Sequence, residues 1–203
     1  MLQKLCYSVA AFGCFASGAI AQDAVEASFV FQGQTLNIAQ ASRADLDRLA
    51  VVSRQSEDCT GICIAPLLAV EGIETVAEFD VITFIAETVA AGGGLLIDSR
   101  PLDARDAGAI AASISVPTEL LDAANPFRND ILVAMGAREF EGTLNFADAM
   151  PLMVYDNGPL ANDAARSVSL LVEAGYPREK IKYYRGGLQV WTALGLSIEE
   201  TSS

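Results

Sequence analysis

Histidine is absent from the 203-residue chain. That removes Ser–His and Cys–His catalytic pairs, His-ligated zinc and histidine-ligated c-type haem together. Basic residues are also scarce, with 13 Lys and Arg against 26 Asp and Glu and a formal net charge of −13. An acidic surface repels phosphate backbones and anionic headgroups, so nucleic acid is not an expected partner. The chain has four cysteines, Cys6, Cys14, Cys59 and Cys63, and a single tryptophan, Trp191. Its N-terminal apolar run, residues 5–16, is too short and too poorly flanked for a membrane span.

That run follows Lys4 and leads to Ala19-Ile20-Ala21, the pattern of a secretory signal peptide over residues 1–21 with cleavage after Ala21. Lipoprotein processing at Cys14 is the rival reading, although Phe12 fits it poorly. Cleavage after Ala21 makes the expected location periplasmic or secreted, and the remaining chain is one charge more acidic than the −13 of the whole. It also leaves Cys59 and Cys63 as the only thiols. In an oxidising compartment two such cysteines, four positions apart, are expected to pair as a structural disulfide. A redox pair or a sulfur-accepting thiol is the sharper alternative, and a metal site would be incomplete, so no metal or cofactor is expected.

Residues 28–38 hold two β-leaning runs around Gln32-Gly33-Gln34, a hairpin pattern, and residues 42–54 look helical with Leu46, Leu49 and Ala50 on one face. The irregular stretch 55–72, with Cys59, Cys63 and Pro66, separates an N-terminal extension, residues 22–74, from a main domain, residues 75–199. Thr75 and Glu78 have the spacing of a capping box for a helix through Val76, Phe79, Ile82, Ile85 and Val89, stopped by three glycines at 92–94. Strands are expected at 95–98, 113–116, 152–155 and 181–184, with helical turns around Leu120, Leu121, Ile131 and Met135 and helices at 163–174 and 188–194. Apolar strands alternating with helices predict an α/β fold: a doubly wound, mainly parallel sheet flanked by helices, preceded by a small hairpin-and-helix extension. In such sheets ligands bind beyond the strand carboxyl ends, here the loops after Asp98 and Tyr155.

Several ordered pieces of this layout carry a resemblance. LLIDSR gives Asp98 and Arg100 after an apolar strand; GAIAASISVP keeps Gly108, Ile110 and Pro117 but has Ala109 where a histidine is expected; LMVYD, RGG and WTALG follow. Together, over residues 75–198, they resemble the rhodanese-like (sulfurtransferase) domain family, and most closely secreted bacterial members with a Cys-Asn-Gly-Pro loop. The resemblance implies a catalytic cysteine at the head of that loop. Here the position is Asp156, followed by Asn157, Gly158, Pro159, Leu160, Ala161 and Asn162, and a second loop thiol found in relatives is replaced by Ala161.

A persulfide-forming cysteine works as a thiolate held by backbone amides at a helix N-terminus, and a carboxylate cannot carry sulfane sulfur. Two readings of Asp156 stand: a turn-starting residue, or a carboxylate that fills the anion site from within and has a lowered pKa. Asn162 is expected to cap the following helix, Arg166 to pair, stay solvated or bind an anion at the loop, and Asp98 and Arg100 to brace the loop. The favoured expectation is a secreted or periplasmic domain that is inactive as a Cys-dependent sulfurtransferase and binds a small anion or a periplasmic protein. The alternative is an enzyme, a sulfurtransferase or thiol-redox protein using Cys59 or Cys63.

Overall fold

The structure is a computed structural model that describes residues 26–41, 43–54 and 64–200. The expectations for the signal peptide and for Cys59 and Cys63 lie outside these residues. Two antiparallel strands, β1 (Glu26–Phe31) and β2 (Gln34–Ala39), form the hairpin, turning through Gln32 and Gly33. Helix α1 (Leu46–Val52) follows, its N-terminus capped where Arg48 N–H donates to the Asp45 carboxylate at 2.9 Å.

The centre is a five-stranded parallel sheet of β3 (Glu74–Val76), β4 (Leu95–Asp98), β5 (Ser113–Ser115), β8 (Leu152–Tyr155) and β9 (Ile181–Tyr184), in the order β3-β9-β8-β4-β5. Between β5 and β8 lie α3 (Arg128–Ala134) and a small antiparallel hairpin, β6 (Arg138–Phe140) with β7 (Thr143–Asn145). Helix α2 (Glu78–Thr83) runs on into a π-helical segment (Phe84–Val89); α4 (Asp163–Glu173) follows β8, and α5 (Gly187–Ala193) follows β9.

All four residues of β8 are buried, and they alternate between two cores. Met153 and Tyr155 pack with Ile85, Leu188 and Trp191 on one face, while Leu152 and Val154 pack with Leu132, Val168 and Leu171 on the other. Burial on both faces is why β8 is apolar throughout rather than alternating. Phe29 and Ile38 of the hairpin join the first core, so the extension shares the domain's interior.

Three details depart from expectation. Thr75 does not cap a helix: it lies in β3 beside Tyr183 of β9, and its hydroxyl donates to the Leu67 carbonyl. The helix begins after Ala77, whose amide donates to the Asp80 carboxylate at 3.0 Å. Phe79, expected on the buried face, is 68% exposed, whereas Ile82, Ile85 and Val89 are buried as expected and Val81 is buried with them. The β6–β7 hairpin was not anticipated; its residues are largely exposed and carry no buried stripe for a sequence reading to detect.

Candidate functional site

Strands β4 and β8 are adjacent and in register, Asp98 opposite Tyr155, so the segments that leave their carboxyl ends emerge side by side. From β4 the chain moves outward to β5 and then returns on the other side, to β8 and β9. The crevice between β4 and β8 is therefore the topological switch point, where open parallel sheets bind ligands.

The loop after β8 is held at every turn. Ser99 donates to the Tyr155 carbonyl through both its amide, at 2.9 Å, and its hydroxyl, at 2.8 Å. The carbonyls of Asp156 and Asn157 accept from the amides of Leu188 and Gln189, and the Pro159 carbonyl accepts from Ala65 N–H at 2.8 Å. Gly158 sits at φ +123°, and a β-carbon there would lie 2.4 Å from the Gly186 carbonyl oxygen. Gly187 sits at φ +56°, and a β-carbon there would meet the Asp156 carbonyl oxygen at 2.4 Å and the Gly158 nitrogen at 2.5 Å. Backbone rests on backbone at this contact, which explains glycines on both sides of it.

Asp156 is completely buried. Its Oδ1 accepts from Gly158 N–H at 2.7 Å and its Oδ2 from Ala164 N–H at 2.9 Å. The second bond caps α4 from a distance. Asn162 occupies the N-cap position, but its side chain makes no capping hydrogen bond.

The expected lowering of the Asp156 pKa is not what this environment produces. Burial pushes the carboxyl up to about 7; the amides of Ala164 and Gly158 favour the anion but do not offset the loss of water, and the negative charges of Asp163 and Asp98 add to the rise. Among the described residues no ion pair reaches it. The carboxyl is thus an acid that changes charge near neutrality rather than a permanent anion.

Asp98 and Arg100 are both fully buried. Arg100 Nε and Nη2 donate to the two Asp98 oxygens at 2.8 and 2.7 Å, a forked pair, and Arg105 Nη1 adds a third bond at 2.8 Å. Burial opposes the charge of Arg100, and the hydrogen bonds and charge of Asp98 outweigh it, so the guanidinium is held above its usual pKa. Arg100 also donates to the Gly108 carbonyl at 2.8 Å and reaches Asn157 Oδ1 at 3.4 Å, a long contact that links this cluster to the loop. Tyr155 extends it, donating to Ser113 Oγ at 3.0 Å and accepting from Ile110 N–H at 3.2 Å.

Of the residues singled out from sequence, Asp98, Arg100, Asp156, Asn157, Gly158 and Pro159 come together here. Leu160 and Ala161 continue the loop half-buried, and Ala161 N–H closes a turn onto the Gly158 carbonyl at 2.8 Å. Arg166 does not join them: it is exposed and pairs with Asp122 at 3.4 Å. Trp191 is buried in the core with its Nε1 donating to the Ser197 carbonyl at 2.8 Å. Ser99, Arg105 and Ala65 belong to the site and were not expected. Ser99 stands inside the LLIDSR stretch, a usable signal; nothing local marks the other two.

Among the described residues no cluster of three or more Cys, Asp or Glu is placed to hold a metal ion, and no helix is long and apolar enough to cross a membrane.

The family model for the rhodanese-like domain matches residues 84–194. No curated protein matches the chain. Similar solved structures include the rhodanese-like domain of an Anabaena protein, 20% identical over 64% of this chain and 81% of that chain with a TM-score of 0.42. Human single-domain sulfurtransferase is 20% identical over 58% and 93% with a TM-score of 0.39. A Rhodopseudomonas palustris protein of unknown function, described as a possible tyrosine phosphatase, is 23% identical over 64% and 88% with a TM-score of 0.45.

Proposed function

The chain belongs to the rhodanese-like domain family, and we propose that it is a secreted or periplasmic member that does not transfer sulfur through its loop and instead binds a small anion or a periplasmic protein there. The reading rests on one observation: a fully buried carboxyl, Asp156, stands at the head of the loop and takes the amides of Gly158 and Ala164. A carboxylate has no means of accepting a sulfane sulfur atom, since the acceptor must be a thiolate that becomes a persulfide.

The amides that Asp156 occupies are the type of donor that holds an anion at a helix N-terminus. While the carboxyl is ionised it competes with any external anion. Once protonated, near a pKa of about 7, it no longer presents a charge and the loop becomes more receptive to one. Anion or partner binding at this loop should therefore strengthen as pH falls below 7.

A thiosulfate–cyanide assay tests the proposal. The whole chain is expected to give no turnover that depends on the loop, and Asp156→Cys is expected to gain turnover, because the supporting strands, glycines and Asp98–Arg100 pair remain. Turnover by the unaltered protein would overturn it.

The second reading, sulfur transfer or thiol-disulfide exchange at Cys59 or Cys63, has support from one contact. Ala65, two residues after Cys63 in sequence, donates its amide to the Pro159 carbonyl at 2.8 Å, and its own carbonyl accepts from Arg185 Nε at 3.0 Å. Activity that disappears in Cys63→Ser or Cys59→Ser but survives Asp156→Asn would favour it.

A further inference from the structure

Away from the loop, a cleft of about 320 Å³ opens where the end of β2 and the segment leading into α1 meet the C-terminal segment after α5. Ala39, Gln40, Ala41, Arg43, Asp45 and Arg48 form one wall, and Thr192 and residues 195–198 the other. The volume is at the lower end of small-molecule sites.

The walls are fixed to one another. Ser197 Oγ both accepts from the Ala39 amide at 2.9 Å and donates to the Ala39 carbonyl at 3.0 Å. Ala41 N–H donates to the Gly195 carbonyl at 2.7 Å, and Gln40 Nε2 to the Leu194 carbonyl at 2.8 Å. Such a cleft exists before a ligand arrives, so binding would not have to order it first.

Its polar side chains divide sharply. Gln40 and Ser197 are committed to the bonds above. Asp45 caps α1 and pairs with Arg48, and Arg48 also pairs with Glu200 at 2.7 Å and donates to the Ala107 carbonyl. Two groups are left over. The hydroxyl of Thr192, a residue only 1% exposed, has no hydrogen-bond partner. Arg43 is exposed, and among the described residues it makes no ion pair. A buried hydroxyl left without a partner costs free energy, and an Arg is a natural donor to a carboxylate. Apolar contact is available from Ala39, Leu196 and Ile198.

We propose that this cleft is a binding site for a small organic acid, whose carboxylate accepts from Arg43 and Thr192 while its apolar body lies against Ala39, Leu196 and Ile198. The site is separate from the loop at Asp156 and independent of whether that loop binds anything. Arg43 gives this cleft a cation that no described carboxylate pairs with, in a chain whose net charge is −13.

Benzoate, with neutral benzamide as its control, is the probe, followed by amide chemical shifts of the whole chain. Benzoate is expected to give saturable shifts at residues 39–48 and 192–198, and benzamide to bind at least about tenfold more weakly, as loss of a charge-assisted hydrogen bond implies. Arg43→Gln should weaken benzoate about tenfold, and Thr192→Val, which keeps the side-chain shape, about threefold or more. Equal affinity for benzamide, shifts confined to other residues, no saturation, or an Arg43→Gln variant that binds as well as the parent would each overturn the assignment.

Discussion

The carboxyl of Asp156 accepts from the amide of Ala164 at 2.9 Å, so the second residue of α4 is capped by the head of the preceding loop and not by Asn162 next to the helix. One side chain thereby closes the loop and starts the helix. This relationship fixes several expected outcomes.

Removing Asn162 should cost little. Asn162→Ala is expected to lower stability by less than about 0.5 kcal/mol, below the ~1 kcal/mol typical of a lost cap. Asp156→Ala, which strands two buried amides and opens a cavity, should cost more than about 2 kcal/mol. Urea unfolding of both variants at one pH checks the order, and equal losses would contradict it.

Stability should fall as pH rises from about 4 to 7. Burial raises the folded-state pKa of Asp156 to about 7, above the ordinary value of 3.8 that it has unfolded. Below the unfolded value both states are protonated and nothing is lost. Between the two values the unfolded chain gives up its proton while the folded one keeps it, so unfolding gains up to about 1.4 kcal/mol per pH unit. The whole effect is on the order of 4 kcal/mol. In Asp156→Asn this component of the pH slope should vanish, which parallel denaturation series at several pH values would show.

The contact between Gly158 and Gly187 leaves no room for a methyl group. Gly187→Ala puts a β-carbon 2.4 Å from the Asp156 carbonyl oxygen at a φ of +56°. The expected loss is about 3 kcal/mol or more. Gly142→Ala, at φ +76° with nothing within 4 Å, is the matched comparison and should cost only about 1 kcal/mol. Thermal melts of the pair separate steric exclusion from backbone strain.

The two halves of the Asp98–Arg100 pair should not be equivalent. If Arg100 is replaced by Gln, Asp98 still pairs with Arg105 at 2.8 Å. If Asp98 is replaced by Asn, the fully buried guanidinium of Arg100 is left facing carbonyls and the Asn157 amide oxygen. Asp98→Asn is expected to cost about 3–5 kcal/mol and Arg100→Gln less. A reversed order in equilibrium unfolding would show that Arg105 does not compensate.

What sequence alone determined was the framework. The unbroken apolar runs at 95–97 and 152–155 required strands covered on both faces, and β4 and β8 are such strands. The absence of a cysteine at the head of the loop was equally plain. The start of α2 was misplaced because Thr75 and Glu78 match a capping box as well as Thr75 matches a strand; pairing of β3 with β9, over 100 residues away, decides between them, and spacing carries no trace of it.

Only the tertiary structure decided the chemistry of the site. An aspartate in a turn and an aspartate with no exposed surface are the same letter, and it is packing by α4, α5 and the neighbouring strands that strips water from Asp156 and lifts its pKa to about 7. Ala65, which donates to the Pro159 carbonyl, reaches the site from a stretch that sequence distance does not connect to it. Periodicity encodes which face of an element is buried, whereas solvation and the meeting of distant side chains arise only when the elements pack.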